Sequence, residues 1–159
     1  WHACRHIAGF DDEEISKQKP DITIPSFLNL EKTITEEFCV RWGKRTNEKI
    51  AEFRTYITDL VSQHKKIAGF GAAAKGCVFL NSVGIDDSMI EYIVDDTPYK
   101  QGMFVPGTGI QVVSRDHLRQ HKVDFILILA HNFKDYIIDS LKGQYDGEFI
   151  VMFPDIKKY

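Results

Sequence analysis

A glycine-rich turn between an apolar run and a helix start is the feature that most constrains this chain. It lies between Lys66 and Gly76, and its spacing Gly69-x-Gly71-x-x-Ala74 fits the fingerprint of a nucleotide-binding βα turn. We expect Gly69 to supply a positive φ, Gly71 to admit a ligand to the backbone, and Ala74 to let the helix pack closely on its strand. The free N–H groups of the helix start would suit phosphate. The turn therefore predicts a Rossmann-like domain and leaves its ligand open.

Strand and helix patterns alternate along the rest of the chain. The predicted strands are Ile67–Phe70, Glu91–Val94, Ile110–Val113, Val123–Leu129 and Glu148–Phe153. The predicted helices are Ala72–Val83, Ser114–Gln120 and Lys134–Leu141. This alternation predicts an α/β fold, a Rossmann-like open and mostly parallel sheet with helices on both faces.

A long helix is predicted before the first strand, over residues 34–64, from apolar residues at helical spacing. Thr35 and the glutamates after it are typical of a capped, acidic helix start, and Gly43 is the candidate point for an interruption. Residues 1–33 are predicted to be an N-terminal arm or linker, with a short extended piece at 22–25. Residues 34–159 form the predicted C-terminal domain.

Composition limits the function classes. The chain of 159 residues is 43% apolar and carries a net charge of −3, which argues against a general nucleic-acid binder. No apolar run reaches the roughly 18 residues of a membrane span, and no secretory signal is visible, so a cytoplasmic location is predicted. Cys4, Cys39 and Cys77 are far apart and predict reduced thiols. His2 and His6 flank Cys4, but a terminal arm without metal is the favoured interpretation.

Two groups of polar residues are expected at the carboxyl edge of the sheet, where open α/β sheets bind ligands. Lys75, beside the glycine turn, is either a phosphate contact or an ordinary surface lysine. His131 and Asn132 follow the most apolar strand. They are candidates to bind ligand hydroxyls or phosphate, with His131 also a possible general base and Asn132 alternatively a helix cap.

The second group follows the strand that ends at Val94. Asp95 and Asp96 occupy the place of the ribose-binding acid of an NAD-binding domain, or they cap a turn before Pro98. An acid–base role for the pair lacks a nucleophile or metal set nearby. The loop after them offers further candidate sugar-nucleotide contacts, namely Tyr99, Lys100 and Gln101, or it closes on its own backbone.

Three segments, GFGAAAKG, VDDTPYKQG and LAHNF, together resemble the C-terminal domain of S-adenosylmethionine-dependent sugar C-methyltransferases. The resemblance covers about residues 35–153, and it differs at His131, where that family usually has Trp. Enzymes of that family methylate carbon on nucleotide-linked keto sugars. The resemblance implies that a nucleotide-linked sugar is the ligand of the candidate residues Gly69, Gly71, Ala72, Lys75, Asp95, Tyr99, Lys100, Gln101, His131 and Asn132.

The same resemblance implies that the complete enzyme uses S-adenosylmethionine, held in a separate, preceding domain. The family's catalytic His lies in a Tyr-x-Glu-His-like run that this chain does not contain, so its catalytic residues are unknown. The chain by itself is expected to bind the sugar nucleotide, without binding the methyl donor or methylating. Two alternatives stay open: a Rossmann-like nucleotide-binding or interaction module of another glycan-pathway protein, and an NAD-binding domain.

Overall fold

The computed structural model describes residues 24–159, with side chains from residue 28 onward. The helices are α1 (Ile24–Glu31), α2 (Glu36–Ser62), α3 (Ala74–Val83), α4 (Arg115–Gln120) and α5 (Lys134–Ser140). The strands are β1 (Ile67–Phe70), β2 (Ile93–Val94), β3 (Val112–Val113), β4 (Phe125–Ile128), β5 (Glu148–Val151) and β6 (Lys157–Lys158). Short 3₁₀ turns span Pro98–Lys100 and His131–Phe133. The predicted arm, with His2, Cys4 and His6, lies largely outside the described residues.

The strands form one open sheet in the order β3-β2-β1-β4-β5-β6. All neighbouring pairs are parallel except β5 and β6, which run antiparallel. From β1 the chain builds outward to β2 and β3, and then returns to place β4 on the other side of β1. The ends of β1 and β4 thus mark the point where the strand order reverses. This topology confirms the predicted fold class.

Helices cover both faces of this sheet because alternate strand residues point to opposite sides. One core joins α2 and α3 to the sheet through residues such as Ile57, Leu80 and Leu127. The other joins α4 and α5 to it through residues such as Leu118 and Ile137. The continuous apolar run of β4 serves both cores, as expected of a central parallel strand.

The long helix α2 begins as predicted, since Thr35 Oγ1 accepts a hydrogen bond from the Phe38 N–H at 3.1 Å. The expected interruption at Gly43 is wrong, because α2 is continuous from Glu36 to Ser62. A glycine costs a helix about 1 kcal/mol, too little to break one this long. The chain divides into two compact units at residues 49 and 50, within α2.

The predictions before and after the sheet need correction as well. Ile24 begins α1, so the last part of the piece predicted as extended is helical, while residues 22 and 23 lie outside the described region. The antiparallel strand β6 was not predicted, because a Lys-Lys pair carries no apolar alternation. None of the helices within residues 24–159 is long and apolar enough to cross a membrane.

Candidate functional site

The carboxyl edge of the sheet brings the turns after β1, β2 and β4 together. The turn between β1 and α3 leaves the central strand at Gly71, whose N–H donates to Val94 O at 2.8 Å. Ala130 ends the neighbouring strand segment, and a Cβ added at Gly71 would lie only 2.8 Å from its Cβ. The predicted position of the glycine turn, at the carboxyl edge between first strand and helix, is therefore confirmed.

The roles expected of the small residues in this turn need correction. Gly71 takes the positive φ of +96°, whereas Gly69 lies inside β1. Gly69 is small for packing, since an added Cβ would lie 2.7 Å from Ile93 Cγ1. Ala74 is exposed, so it is not the close helix–strand contact. That contact is Gly76, where a Cβ would lie 3.1 Å from Leu129 Cβ; the third glycine of GFGAAAKG was its signal in the sequence.

The carboxylate of Asp95 ties two of these turns together. Oδ2 accepts the Ala72 N–H at 2.7 Å, and Oδ1 accepts the Thr97 N–H at 2.9 Å. Asp95 is only 7% exposed. Burial alone would raise its pKa, but the hydrogen bonds from Thr97, Lys100 and Ala72 outweigh burial and hold the pKa below the usual range. The residue is therefore an ionised carboxylate with its acceptors turned toward the chain itself.

Lys100 and Gln101 belong to the same network. Lys100 Nζ donates to Ala72 O at 2.8 Å and to Asp95 Oδ2 at 3.1 Å. Gln101 Nε2 donates to the backbone O of Asp95 at 3.0 Å. The neighbouring Tyr99 is 73% exposed. Of the loop residues predicted to contact a ligand, Tyr99 thus faces solvent, while Lys100 and Gln101 hold backbone groups.

Asp96 points elsewhere and forms a bidentate pair with Arg115. Arg115 Nε and Nη2 donate to its two carboxylate oxygens at 2.5 and 2.7 Å. The predicted turn cap is confirmed for Asp95, whose carboxylate accepts the Thr97 N–H. With both carboxylates engaged inside the chain, neither is placed as the free ribose-binding acid that an NAD site requires.

The first turn of α3 carries a lysine and no acidic residue. Ala73 occupies the N-cap position and gives no side-chain hydrogen bond, and within this described helix the first turn contains no acidic residue. Lys75 lies in that turn, although cations there oppose the helix dipole. In the part of the chain that the structure describes, Lys75 forms no ion pair. Such an arrangement is unfavourable on its own and suits an anion.

His131 lies close to this helix start. Burial, and then the charge of Lys75, lower the pKa of the His131 imidazole, which is neutral at pH 7 as a result. Its ring lies 6.0 Å from that of Phe153, centroid to centroid. Among residues 28–159 neither ring nitrogen has a hydrogen-bond partner. Phe153, which follows β5, was not predicted at this edge; its only signal was its place at the end of the last predicted strand.

Asn132 does not cap a helix, so that prediction is wrong. It lies exposed within the 3₁₀ turn His131–Phe133, and the N-cap position of α5 falls to Phe133. Because α5 begins at Lys134, as predicted, the residue directly before it is Phe133, and Asn132 lies one residue too early to cap it. Asn132 keeps only its predicted role as a ligand contact.

A cleft of about 410 Å³ lies at the opposite, amino edge of the sheet. Its walls carry mixed charges, and its Lys65 and Asp124 pair with one another at 3.5 Å. Other charged groups of its lining also pair within the chain, Arg119 with Asp116 and Glu148 with Lys158. Among the described residues, no cluster of three or more His, Cys, Asp or Glu side chains could hold a metal ion.

Comparison with known proteins agrees with this fold. Residues 13–154 match the family model described as the C-methyltransferase C-terminal domain. The chain is also 35% identical over 107 residues to C-methyltransferase NovU of Streptomyces niveus. That match covers 66% of this chain and 26% of NovU, so the chain spans about a quarter of that relative's length. The resemblance seen in the sequence is confirmed: the chain belongs to the family of C-methyltransferase C-terminal domains.

Proposed function

We propose that this domain binds the nucleotide-linked sugar substrate of a C-methyltransferase and holds it for methylation. The observation that carries the proposal is the pair Lys75 and His131, which lie together at the start of α3, where no side chain caps the helix. The family match supplies the reaction class, and the name of NovU is consistent with it.

A diphosphate is the part of such a ligand that this edge would recognise. The first-turn N–H groups of α3 have no acceptors within the helix and can donate to phosphate oxygens. Lys75 adds a charge, and the imidazole of His131 adds a donor. The sugar would extend from the phosphates past the turn between β1 and α3. Tyr99 and Asn132, both exposed at this edge, remain candidate contacts with sugar or base.

The methyl donor fits this site poorly. Membership of a methyltransferase family implies S-adenosylmethionine for the complete enzyme. That molecule carries a sulfonium cation, which Lys75 and the start of α3 would repel. When bound elsewhere in the complete enzyme, the donor supplies an electrophilic methyl group. This domain would contribute by fixing the acceptor carbon of the sugar in reach of that group.

The direct test is titration of the ¹⁵N-labelled chain with thymidine diphosphoglucose, followed by amide chemical shifts. We expect shifts at residues 69–76 and 97–102, with an affinity near millimolar, about −4 kcal/mol, for a domain that supplies part of a site. Shifts confined to the amino-edge cleft would refute the proposal. Tighter binding of NAD than of the sugar nucleotide would favour the dinucleotide alternative, and tight binding of S-adenosylmethionine would contradict the division of labour.

Lys75→Ala should weaken this binding up to about fivefold, the loss of roughly 1 kcal/mol expected for one exposed ionic contact. Added salt should weaken the wild-type interaction in the same direction. Lys122→Ala is the matched control, because it removes the same charge at the amino-edge cleft. Equal effects of the two substitutions would show that net charge, and not the site, governs binding.

A further inference from the structure

We propose that Asp95 and Lys100 are positioning residues that hold the turn between β1 and α3 in its binding shape, without touching the ligand. From the sequence, both residues were predicted to contact the sugar nucleotide directly. The inference rests on the proposed function, because it concerns how that same site is shaped.

Both backbone groups of Ala72 are held by these two side chains. Asp95 Oδ2 accepts its N–H at 2.7 Å, and Lys100 Nζ donates to its carbonyl oxygen at 2.8 Å. Ala72 stands between Gly71, with its φ of +96°, and Ala73, the N-cap of α3. Fixing the two peptide units that flank Ala72 therefore fixes the direction in which the chain enters α3, and with it the direction of the first-turn N–H groups.

The same carboxylate anchors the turn after β2. Asp95 Oδ1 accepts the Thr97 N–H at 2.9 Å, and its backbone oxygen accepts Gln101 Nε2 at 3.0 Å. The Lys100 ion pair, at 3.1 Å, keeps the carboxylate ionised and oriented. Two turns that are distant in sequence thus share one buried anchor.

Direct contact with a phosphate is a poor role for either residue. The Asp95 carboxylate would repel it, and its side chain is only 9% exposed. Lys100 directs hydrogen bonds of its ammonium to Ala72 and Asp95, and its side chain is 28% exposed. The pair lies behind the turn, with its groups directed at the backbone.

The substitution Asp95→Asn separates the two roles by the sign of its effect. If only charge matters, removing a carboxylate beside an anion site strengthens diphosphate binding and frees Lys100 for the ligand. If Asp95 positions the turn, binding weakens, because an amide offers one acceptor oxygen where the carboxylate offers two. Asp96→Asn is the matched control, because it removes the same charge one residue away, from a side chain that pairs with Arg115.

The experiment compares the full 159-residue chain with Asp95→Asn, Asp96→Asn, Lys100→Met and the Asp95→Asn/Lys100→Met double variant. Thymidine diphosphoglucose affinity is measured by NMR titration. We expect Asp95→Asn and Lys100→Met each to weaken binding several-fold, and the double variant to be little worse than either, as for residues that act as one unit. Asp96→Asn should bind as the wild type does, or slightly tighter.

Hydrogen exchange of the hydrogen-bonded amides of Ala72, Ala73 and Cys77 gives a second readout that needs no ligand. It should accelerate in Lys100→Met and Asp95→Asn but not in Asp96→Asn. Tighter binding by Asp95→Asn, additive losses in the double variant, or unchanged exchange in Lys100→Met would each overturn the proposal. If Asp95→Asn does not fold, Lys100→Met alone decides through exchange. Failure of the wild type to bind would refute the proposed function and leave the exchange test of the anchor intact.

Discussion

The amino and carboxyl edges of the sheet differ in how far their polar groups find hydrogen-bond partners within the chain. At the amino edge, Tyr145 Oη donates to the backbone oxygens of Asp124 and Glu148 at 2.8 and 3.2 Å. The Asp124 carboxylate accepts the Lys66 N–H at 2.8 Å, and Tyr92 donates to His121 O. Side chains there form hydrogen bonds with backbone groups at the ends of neighbouring strands, and these bonds stabilise the fold.

At the carboxyl edge a similar hydrogen-bond network leaves some polar side chains without partners. Asp95 and Lys100 satisfy the turn after β1, but Lys75 and His131 beside it have no anionic partner among the described residues. The difference favours the carboxyl edge as the candidate site, because Lys75 and His131 lie there at a helix start that no side chain caps. Polar groups left without partners in an otherwise satisfied fold are expected at functional positions.

The largest effect is expected from Gly71→Ala, at the centre of the carboxyl edge. A side chain at a φ of +96° is strained, and its Cβ would lie 2.8 Å from that of Ala130. We expect a loss of about 1–3 kcal/mol in the free energy of unfolding, measured by chemical denaturation. Gly43→Ala is the control, because nothing lies within 4 Å of the added carbon in helix α2 and alanine should stabilise the helix. A neutral Gly71→Ala would contradict the turn described here.

A smaller loss of stability, about 1 kcal/mol, is expected from Tyr145→Phe at the amino edge. The substitution removes the hydroxyl that donates to Asp124 O and Glu148 O and leaves the ring against Phe149 in place. Because this edge serves stability, thymidine diphosphoglucose should bind the variant as it binds the wild type. A loss of affinity in a folded Tyr145→Phe chain would break the distinction between the edges.

The smallest effect concerns the pH dependence of binding. The pKa of the free His131 imidazole lies below its ordinary value of about 6.5, through burial and then through Lys75. A bound diphosphate stabilises the imidazolium and raises that pKa, so binding takes up a proton. Affinity should therefore rise as the pH falls from about 7.5 through the pKa of the complex, and level off below the pKa of the free domain.

For each unit by which the ligand raises the pKa of His131, the gain in affinity is at most about tenfold. Thymidine diphosphoglucose suits the measurement, because its diphosphate keeps its charge over this range. His131→Gln should flatten the dependence. His64→Asn should preserve it, since His64 lies in the turn after helix α2 with a φ of 57°, which Asn tolerates. The same slope in His131→Gln and wild type would exclude protonation of His131 as its origin.

The fold followed from the sequence because its signals were local and repeated. The apolar run of β4 and the glycine turn after β1 fixed a parallel sheet with helices on both faces, and the comparisons agree. Gly43 misled because its propensity cost is small beside the rest of α2. The two-residue strand β6 left no pattern at all, since pairing with β5 and not its own sequence makes it a strand.

The place of the candidate residues in the fold was predicted, but their hydrogen-bond partners were not. Lys75, Asp95 and His131 do lie at the expected edge, because each follows a strand end. The hydrogen bond from the Ala72 N–H to Asp95 joins residues that are 23 positions apart in the sequence. No local sequence pattern indicates which of the two adjacent aspartates, Asp95 or Asp96, forms it. The positive φ was predicted for Gly69 but occurs at Gly71, because β1 continues to Phe70 and places Gly69 within the strand.

The lateral ends of the sheet carry a consequence for how this domain meets other proteins. The outermost strands, β3 and β6, are each two residues long, and β6 consists of exposed Lys157 and Lys158. The charges of β6 resist the addition of foreign strands, and the backbone of Val112 in β3 is already bonded to Gly102 and Met103. Self-association by sheet extension is therefore disfavoured. We therefore expect a partner protein to contact side chains on the helices or loops of this domain, and not to pair its backbone with the outer strands.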